Sequence, residues 1–270
     1  DGEFGPDGDQ DIIKCGSLNS GTVGNDTTVD LGFEPQWILF KNSSNTAGVD
    51  GWWMYDTMRG WTGSLGDTNN KYLQAQTSSA EGNITNYINV TPTGFVMEGG
   101  AFDSNHTYIY MAIRRGPLAQ PESGTEVFDI ATRGAVSGEP GFRSDTGVVD
   151  MALVKTVNTS SDWSAKSRLT QGKYLVTNSS AAETSLSYAM FDYMNGHSAF
   201  DGTNSNTHSW MWKRAPGFCD VVAYTGNQLA GHNISHNLGV APEMMWVKKR
   251  DGAADWRVYH SGIGATKYLT

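Results

Sequence analysis

The chain has 270 residues, a net charge of -9 from 19 Lys and Arg against 28 Asp and Glu, and 11% aromatic residues. A negative chain without a basic cluster lacks the cations that hold a phosphate backbone, so nucleic acid is not an expected partner. No window approaches the roughly 18–20 apolar residues of a membrane helix, and so many aromatic rings argue against disorder, because they stabilise a fold by burial.

Short apolar runs rich in Val, Ile, Trp and Tyr, separated by Gly, Asn, Asp and Ser, are typical of strands and turns. In chain order these runs cover residues 37–40, 108–111, 151–154, 210–212, 221–224 and 244–247. No stretch of twelve residues keeps a 3.6-residue period, although Thr and Ser can cap one short helical turn around Ala80. We therefore predict an all-β fold.

The chain repeats part of its own sequence. Residues 31–41 (LGFEPQWILFK) share Leu, Gly, Pro and the terminal Lys with residues 238–248 (LGVAPEMMWVK), and a shorter match ends at Lys155. Lys-Tyr-Leu then follows each copy, at residues 71–73, 173–175 and 267–269. Self-similarity at a fixed period is the signature of a repeat protein.

The repeat defines the expected domains. An Ala-Phe-Asp turn leads into a last strand that ends at Pro117 in one copy and Pro216 in the next. We expect β-sandwich repeats at 1–117 and, in a divergent form, at 118–216, with the first half of a third at 217–270. Since half a sandwich would leave strand edges open, we expect the chain to continue beyond residue 270 or another chain to supply the other half.

A set of segments resembles repeat domains in virion structural and tail-fibre proteins of marine tailed phages: residues 31–42, 52–61, 70–73, 78–81, 91–100, 107–117, 213–226 and 236–269. The resemblance covers nearly the whole chain, from about Asp9 to Thr270, but the middle copy lacks the Leu-Gly-x-x-Pro entry. It implies tandem antiparallel β-sandwiches of the concanavalin A-like, laminin-G-like jelly-roll kind. It also implies a protein exposed on the phage particle.

The function implied by this resemblance is structural and non-enzymatic, as a tail fibre or other exposed tail component with possible attachment to host-surface glycans. Expected partners are other virion proteins and further copies of the chain in a homo-oligomer, for which a trimer is one option. One alternative is a capsid decoration protein without a ligand. Another is a glycan-active enzyme of concanavalin-like fold.

Catalytic, metal and cofactor motifs are not found in the sequence. Glycosidases of this fold class need two carboxylates that flank one sugar bond, and no strand carries a Glu-x-Asp-x-x-Glu pattern. Asp7, Asp9 and Asp11 have the spacing of a calcium loop but lack its glycine and its last acidic ligand. His232 and His236 have no third ligand nearby in the sequence. We expect no catalytic residue, metal or cofactor.

Glycan binding has more support, because sugar rings stack on exposed Trp and Tyr while polar side chains bind their hydroxyls. A Trp follows eight residues after Lys155 and Lys248, and the first copy aligns Trp53 with this repeated, core-forming position. Trp52 and Trp61 then have no counterpart in the other copies. The predicted glycan-binding residues are therefore Trp52, Asp56, Arg59 and Trp61.

Overall fold

A computed structural model describes residues 3–4, 10–44, 51–63, 70–85, 87–116, 119–133, 139–198 and 205–270. Over these residues the chain forms 22 strands and three 3-10 helices of three residues each. The strand pairings within the described sheets are antiparallel, and the predicted all-β fold is confirmed. Within this part of the chain, no helix has the length and apolar character needed to span a membrane.

The strands fall into two sets of eleven. The first set is β1 (Glu3–Phe4), β2 (Gln10–Asp11), β3 (Ile13–Asn19), β4 (Thr27–Asp30), β5 (Pro35–Asn42), β6 (Trp53–Asp56), β7 (Asn70–Gln74), β8 (Gly82–Ile84), β9 (Ile88–Thr91), β10 (Gly94–Met97) and β11 (Thr107–Arg114). The second set is β12 (Phe128–Thr132), β13 (Phe142–Arg143), β14 (Met151–Thr156), β15 (Ser164–Ser167), β16 (Lys173–Val176), β17 (Thr184–Ser185), β18 (Met190–Tyr193), β19 (Gly196–Ser198), β20 (Thr207–Trp212), β21 (Met244–Val247) and β22 (Arg257–His260). The 3-10 helices are Gly124–Glu126, Arg168–Thr170 and Ser261–Ile263.

Two copies of one strand order make up most of the chain. In the first copy a six-stranded sheet runs β3-β11-β5-β6-β7-β8 beside a three-stranded sheet β4-β10-β9. The second copy repeats this order as β12-β20-β14-β15-β16-β17 and β13-β19-β18. The repeat seen in the sequence is therefore also a repeat of topology.

The two sheets of the first copy bury their facing side chains. In β5, Ile38 and Phe40 are 0% exposed, whereas Leu39 on the other face is half-buried. The period of two follows from the alternation of side chains along a strand. Phe95 of the three-stranded sheet lies edge-on to Tyr110 of the six-stranded sheet, with 5.3 Å between ring centroids. This contact joins the two layers of the sandwich.

The second copy has an apolar cluster formed by strands equivalent to those of the first copy. It consists of Phe142, Val149, Ala152, Val154, Phe191 and Met211, each at most 2% exposed. Ala152 and Val154 come from β14, which occupies the place of β5 in the sheet order. The core of each copy therefore lies between its six-stranded and its three-stranded sheet.

One glycine recurs at the start of an equivalent strand in both copies. A Cβ atom on Gly94 would lie 1.9 Å from the Val29 carbonyl oxygen, and one on Gly196 would lie 2.0 Å from the Phe142 carbonyl oxygen. No side chain fits so close to a neighbouring strand. Gly94 and Gly196 therefore mark the same close approach of two strands.

By contacts, the chain separates into two compact units: Asp1–Leu118 with Val222–Asn237, and Ala119–Val221 with Leu238–Thr270. Within the expected third repeat, the structure shows the hairpin β21–β22 and a bridge between Val258 and Leu269. The expected domain boundaries stay a prediction.

Two local expectations are wrong. Residues 221–224 form no strand, and Ala223 instead packs close to Gly63, whose added Cβ would lie 3.1 Å from it. The segment around Ala80 has no helical turn and forms part of the connection between β7 and β8.

Candidate functional site

Trp61, one of the predicted glycan-binding residues, lies in the core of the first copy. It is 0% exposed, and its indole Nε1 donates a hydrogen bond to the Ile88 carbonyl oxygen at 3.0 Å. Its ring also lies 6.2 Å from that of Tyr55. An indole without exposed surface cannot stack on a sugar. We therefore correct the expectation for Trp61, which serves as a core residue.

Asp56 and Arg59 lie together at the end of β6, where a charge network holds them. Arg59 Nε is 2.5 Å from Asp56 Oδ2, and Arg59 Nη1 is 3.6 Å from Glu81 Oε2. Lys71 Nζ is 2.8 Å from Glu81 Oε1. Two cations and two carboxylates thus balance one another. A sugar at this place would have to compete with these ion pairs for the polar atoms of Asp56 and Arg59.

Trp52 lies beside Lys41 on the outer side of the six-stranded sheet. Phe40 is opposite Trp53 in the pairing of β5 with β6, so the next pair outward is Lys41 and Trp52. Lys41 Nζ lies 5.7 Å from the centroid of the Trp52 ring, within the range of a cation–π contact. Trp53 instead packs against Tyr72, with 4.7 Å between ring centroids.

This register corrects the sequence alignment: the repeated tryptophan of the first copy is Trp52 and not Trp53. A shift by one residue moves a side chain to the opposite face of a sheet, so two adjacent Trp residues left the choice open to error. Extending the strand pairings by one residue gives the same lysine–tryptophan pair three times: Lys41 with Trp52, Lys155 with Trp163, and Lys248 with Trp256.

In the second copy the lysine–tryptophan position opens onto an aromatic surface. Trp163 is 36% exposed, and its ring centroid lies 4.8 Å from that of Trp210. His208 continues the row at 6.3 Å from Trp210, and its Nδ1 is 3.2 Å from Thr132 Oγ1. The sequence analysis missed this surface because it treated the repeated tryptophan as a core residue. The alternation of Trp210 with buried Met211 was the available signal.

Polar groups border Trp163. Asn178 Nδ2 donates a hydrogen bond to Asp162 Oδ1 at 2.9 Å, and both side chains are exposed. The rings of Trp163 and Trp210 offer a sugar an apolar surface for stacking. We call Trp163, Trp210 and His208 the aromatic platform.

Trp256 makes a different contact. Its Nε1 donates a hydrogen bond to the Val176 carbonyl oxygen at 3.0 Å. Lys248 Nζ donates to the carbonyl oxygens of Ser180 and Ala181, at 3.2 and 2.8 Å. The third lysine–tryptophan pair therefore holds the hairpin against the second copy, while Trp52 and Trp163 keep part of their rings exposed.

A shallow cleft of about 300 Å³ lies in the first unit. Residues 91–93 line one side and residues 232–235 the other, and the Tyr224 ring lies 6.3 Å from that of His232. Asp26 also lines the cleft. Burial raises the pKa of Glu98, the Asn89 hydrogen bond lowers it, and the charge of Asp26 raises it further.

The sequence motifs considered for metals do not assemble into a site in the described part of the chain. Asp7 and Asp9 lie outside the described residues, and Asp11 Oδ2 is 3.2 Å from Lys14 Nζ. His232 packs against Tyr224. Among the residues that the structure describes, no group of three or more His, Cys, Asp or Glu side chains is placed to hold a metal ion.

Fold and site together define a class: a tandem antiparallel β-sandwich protein that presents a lysine–tryptophan pair in each copy. A family model described as a domain of unknown function (DUF7483) matches residues 12–117 and 196–270, and the chain belongs to this family. No curated protein and no solved structure matches the chain.

Proposed function

We propose that the chain is a non-enzymatic structural component of a tailed-phage virion, exposed as a tail fibre or other tail component, that attaches to host-surface glycans. The virion assignment comes from the resemblance of the repeats to phage structural proteins. The glycan assignment comes from the aromatic platform. Association with other virion proteins and with further copies of the chain belongs to the same proposal.

The observation that carries the glycan assignment is the pair Trp163 and Trp210. A ring 36% exposed on an open sheet face, 4.8 Å from a second indole, offers a flat apolar surface to the C–H face of a pyranose. Asp162 and Asn178 form an exposed hydrogen-bonded pair one residue beyond Trp163 and Thr177. Trp52 with Lys41 offers a smaller version of this surface in the first copy.

Weak binding suits this arrangement, because each site is shallow and open. Two such sites in one chain, multiplied by a homo-oligomer, raise avidity by about 10²–10⁴ without any strong single contact. Within each copy, the β-sandwich holds the side chains of its own site in place and so reduces the ordering cost of binding.

A glycan-active enzyme is the second candidate, and one observation favours it. The pKa of Glu98 is raised from its ordinary value, and the charge of Asp26, which lines the cleft of the first unit, contributes to this. Glycosidases use an acid whose pKa is raised by its surroundings together with a second carboxylate across the sugar bond.

A glycan array with the full chain tests the proposal, with Trp163→Ala and Trp61→Phe as the variant pair. We expect the wild type and Trp61→Phe to bind the same glycans, and Trp163→Ala to lose about tenfold in affinity, as for one lost stacking contact of about 1.4 kcal/mol. Absence of glycan binding contradicts the attachment proposal. Release of shorter saccharides that Glu98→Gln abolishes supports the enzyme instead. Absence of the chain from purified particles, checked by mass spectrometry, contradicts the virion assignment.

A further inference from the structure

Strand β21 exposes side chains that its counterparts bury. Counting back from the repeated lysine, Met245 and Val247 occupy the positions of Ile38 and Phe40 in β5. Ile38 and Phe40 are 0% exposed, whereas Met245 and Val247 are each 41% exposed. In the second copy the same two positions are 0% and 2% exposed. β21 therefore exposes the face that β5 and β14 bury in the core of their copies.

One edge of β21 also lacks the strand that its counterparts have. β5 lies between β11 and β6, and β14 lies between β20 and β15. β21 pairs with β22, which stands in the place of β6 and β15, and no other described strand pairs with it. The backbone N–H and C=O groups along the opposite edge are those that β11 or β20 would engage.

The loop of the hairpin, residues 248–256, is bound to the second copy. Arg250 binds Glu183 through two nitrogens, with Nε 2.7 Å from Oε2 and Nη2 3.2 Å from Oε1. The Ala254 amide donates to the Ser180 carbonyl oxygen at 2.9 Å. Together with the contacts of Lys248 and Trp256, these bonds fix the hairpin to the second copy. The open edge of β21 is therefore preorganised, which lowers the cost of binding a strand.

We propose that the open edge of β21 is an acceptor site for a further β-strand of the same repeat type, beyond the strands that the structure describes. The bound strand would add to the sheet by main-chain hydrogen bonds, with specificity from alternate side chains. In the first copy, Ala112 of β11 is opposite Ile38 and Tyr110 is opposite Phe40. The acceptor therefore fits a small residue opposite Met245 and an aromatic ring opposite Val247.

The described strands of this chain cannot fill the site without leaving their own sheets. β11 already pairs with β3 and β5, and β20 already pairs with β12 and β14. Among the described strands, a second folded copy of residues 1–270 therefore has none of this pattern free to donate. This points to an additional strand and away from simple dimerisation of the chain.

The test uses the full chain and a peptide of residues 105–116, which contains β11. We expect the peptide to slow amide hydrogen exchange over residues 244–247, measured by mass spectrometry. The same peptide with Met111→Pro loses an N–H on the edge of β11 that faces β5, because the odd-numbered residues of β11 bond toward that side, and it should give no protection. Met245→Asp in the chain should weaken peptide binding by about tenfold, whereas Met244→Asp on the opposite face should change it by less than about twofold.

Circular dichroism first checks that both variants keep the wild-type fold, which the exposure of both side chains in the structure supports. The acceptor site is established if the unsubstituted peptide protects residues 244–247, Met245→Asp in the chain weakens its binding, and the proline substitution in the peptide abolishes protection. Equal protection by the Met111→Pro peptide, or none by either peptide, overturns it. Protection of residues 244–247 in the chain alone, accompanied by a dimer in sedimentation, also overturns it, because a second copy would then occupy the edge.

Discussion

The two complete copies share one strand order but bury different residue types at equivalent positions. The first copy buries uncharged side chains where the second buries basic ones. Three residues after the repeated tryptophan, β6 has Tyr55 and β15 has Lys166, which are 0% and 2% exposed. Tyr55 lies 6.1 Å from the ring of Tyr72, and Lys166 Nζ lies 6.0 Å from the ring of Tyr174. The geometry of the pair is retained while an aromatic ring is exchanged for a cation.

Two more positions follow this pattern. Five residues after the repeated tryptophan the first copy buries Thr57 and the second buries Arg168, and after the equivalent glycines the first has Phe95 and the second His197. Burial lowers the pKa of Lys166 to about 7 and that of His197 to about 3, and it lowers the pKa of Arg168 to about 10. Strand alternation therefore decides which positions are buried. Each copy must then supply the hydrogen bonds or ion pairs that its own buried side chains need.

Asp150 balances the charge of two buried arginines of the second copy, Arg168 and Arg214. Its Oδ1 is 3.5 Å from Arg168 Nε and 3.4 Å from Arg214 Nε, and its Oδ2 accepts a hydrogen bond from the Arg214 backbone amide at 2.7 Å. All three side chains are at most 6% exposed. A buried carboxylate between two buried guanidinium groups balances charge that water cannot reach.

The largest expected effect therefore comes from Asp150→Asn. The variant leaves two buried cations without their shared carboxylate, and we expect the free energy of unfolding of the second copy to fall by about 3–5 kcal/mol. Urea unfolding with pulsed hydrogen exchange separates the copies, because peptides from β14 and β5 report on each. The matched control is Asp56→Asn in the more exposed Asp56–Arg59 pair, with an expected loss of about 0–1 kcal/mol. Equal losses for both variants would remove the distinction between the copies.

Lys166→Met is expected to have the next largest effect, and in the stabilising direction. The pKa of Lys166 is about 7 in the folded chain against 10.5 in the unfolded chain, so the unfolded chain binds an extra proton between these values. The stability of the second copy should then rise with pH by about 1.4 kcal/mol per unit across this window, with the full penalty present below pH 7. The variant should remove this slope and gain about 2–4 kcal/mol at pH 7.

The same unfolding measurement at several pH values between 7 and 10 checks this prediction. Lys71→Met is the control, because the Lys71 side chain is 32% exposed and paired with Glu81. We expect it to change stability by less than about 1 kcal/mol without a slope. A flat pH profile in the wild-type second copy would show that Lys166 keeps its proton on folding.

The sequence predicts the fold better than it predicts the site, for a physical reason. The all-β class follows from short apolar runs rich in Val, Ile, Trp and Tyr between turn residues, because strand and turn preferences act locally along the chain. The site depended on which of two adjacent residues, Trp52 or Trp53, faces outward, and a register of one residue decides that. Trp61 illustrates the same limit, because its bond to the Ile88 carbonyl oxygen connects residues that only the folded chain brings together.

The smallest expected effect at neutral pH comes from His197→Phe, which gives the second copy the residue of the first. His197 stacks between Phe142 and Phe191, at 5.2 and 5.0 Å between ring centroids, and its Nε2 is 2.7 Å from Ser209 Oγ. The phenyl ring keeps the stacking but leaves the buried Ser209 hydroxyl without this partner, which should cost about 1 kcal/mol at pH 7.

The informative part of the His197→Phe experiment is its acid limb. Folding lowers the pKa of His197 from 6.5 to about 3. Between these pH values the imidazole is protonated in the unfolded chain and neutral in the folded chain. The wild-type second copy should thus lose about 1.4 kcal/mol per unit as the pH falls through this window. The variant should lack this contribution and become the more stable of the two below about pH 5.5, where the accumulated loss exceeds the cost of the unpaired hydroxyl. Parallel acid limbs for wild type and variant would mean that carboxylates alone set the acid stability, and that the exchange of Phe95 for His197 has no pH consequence.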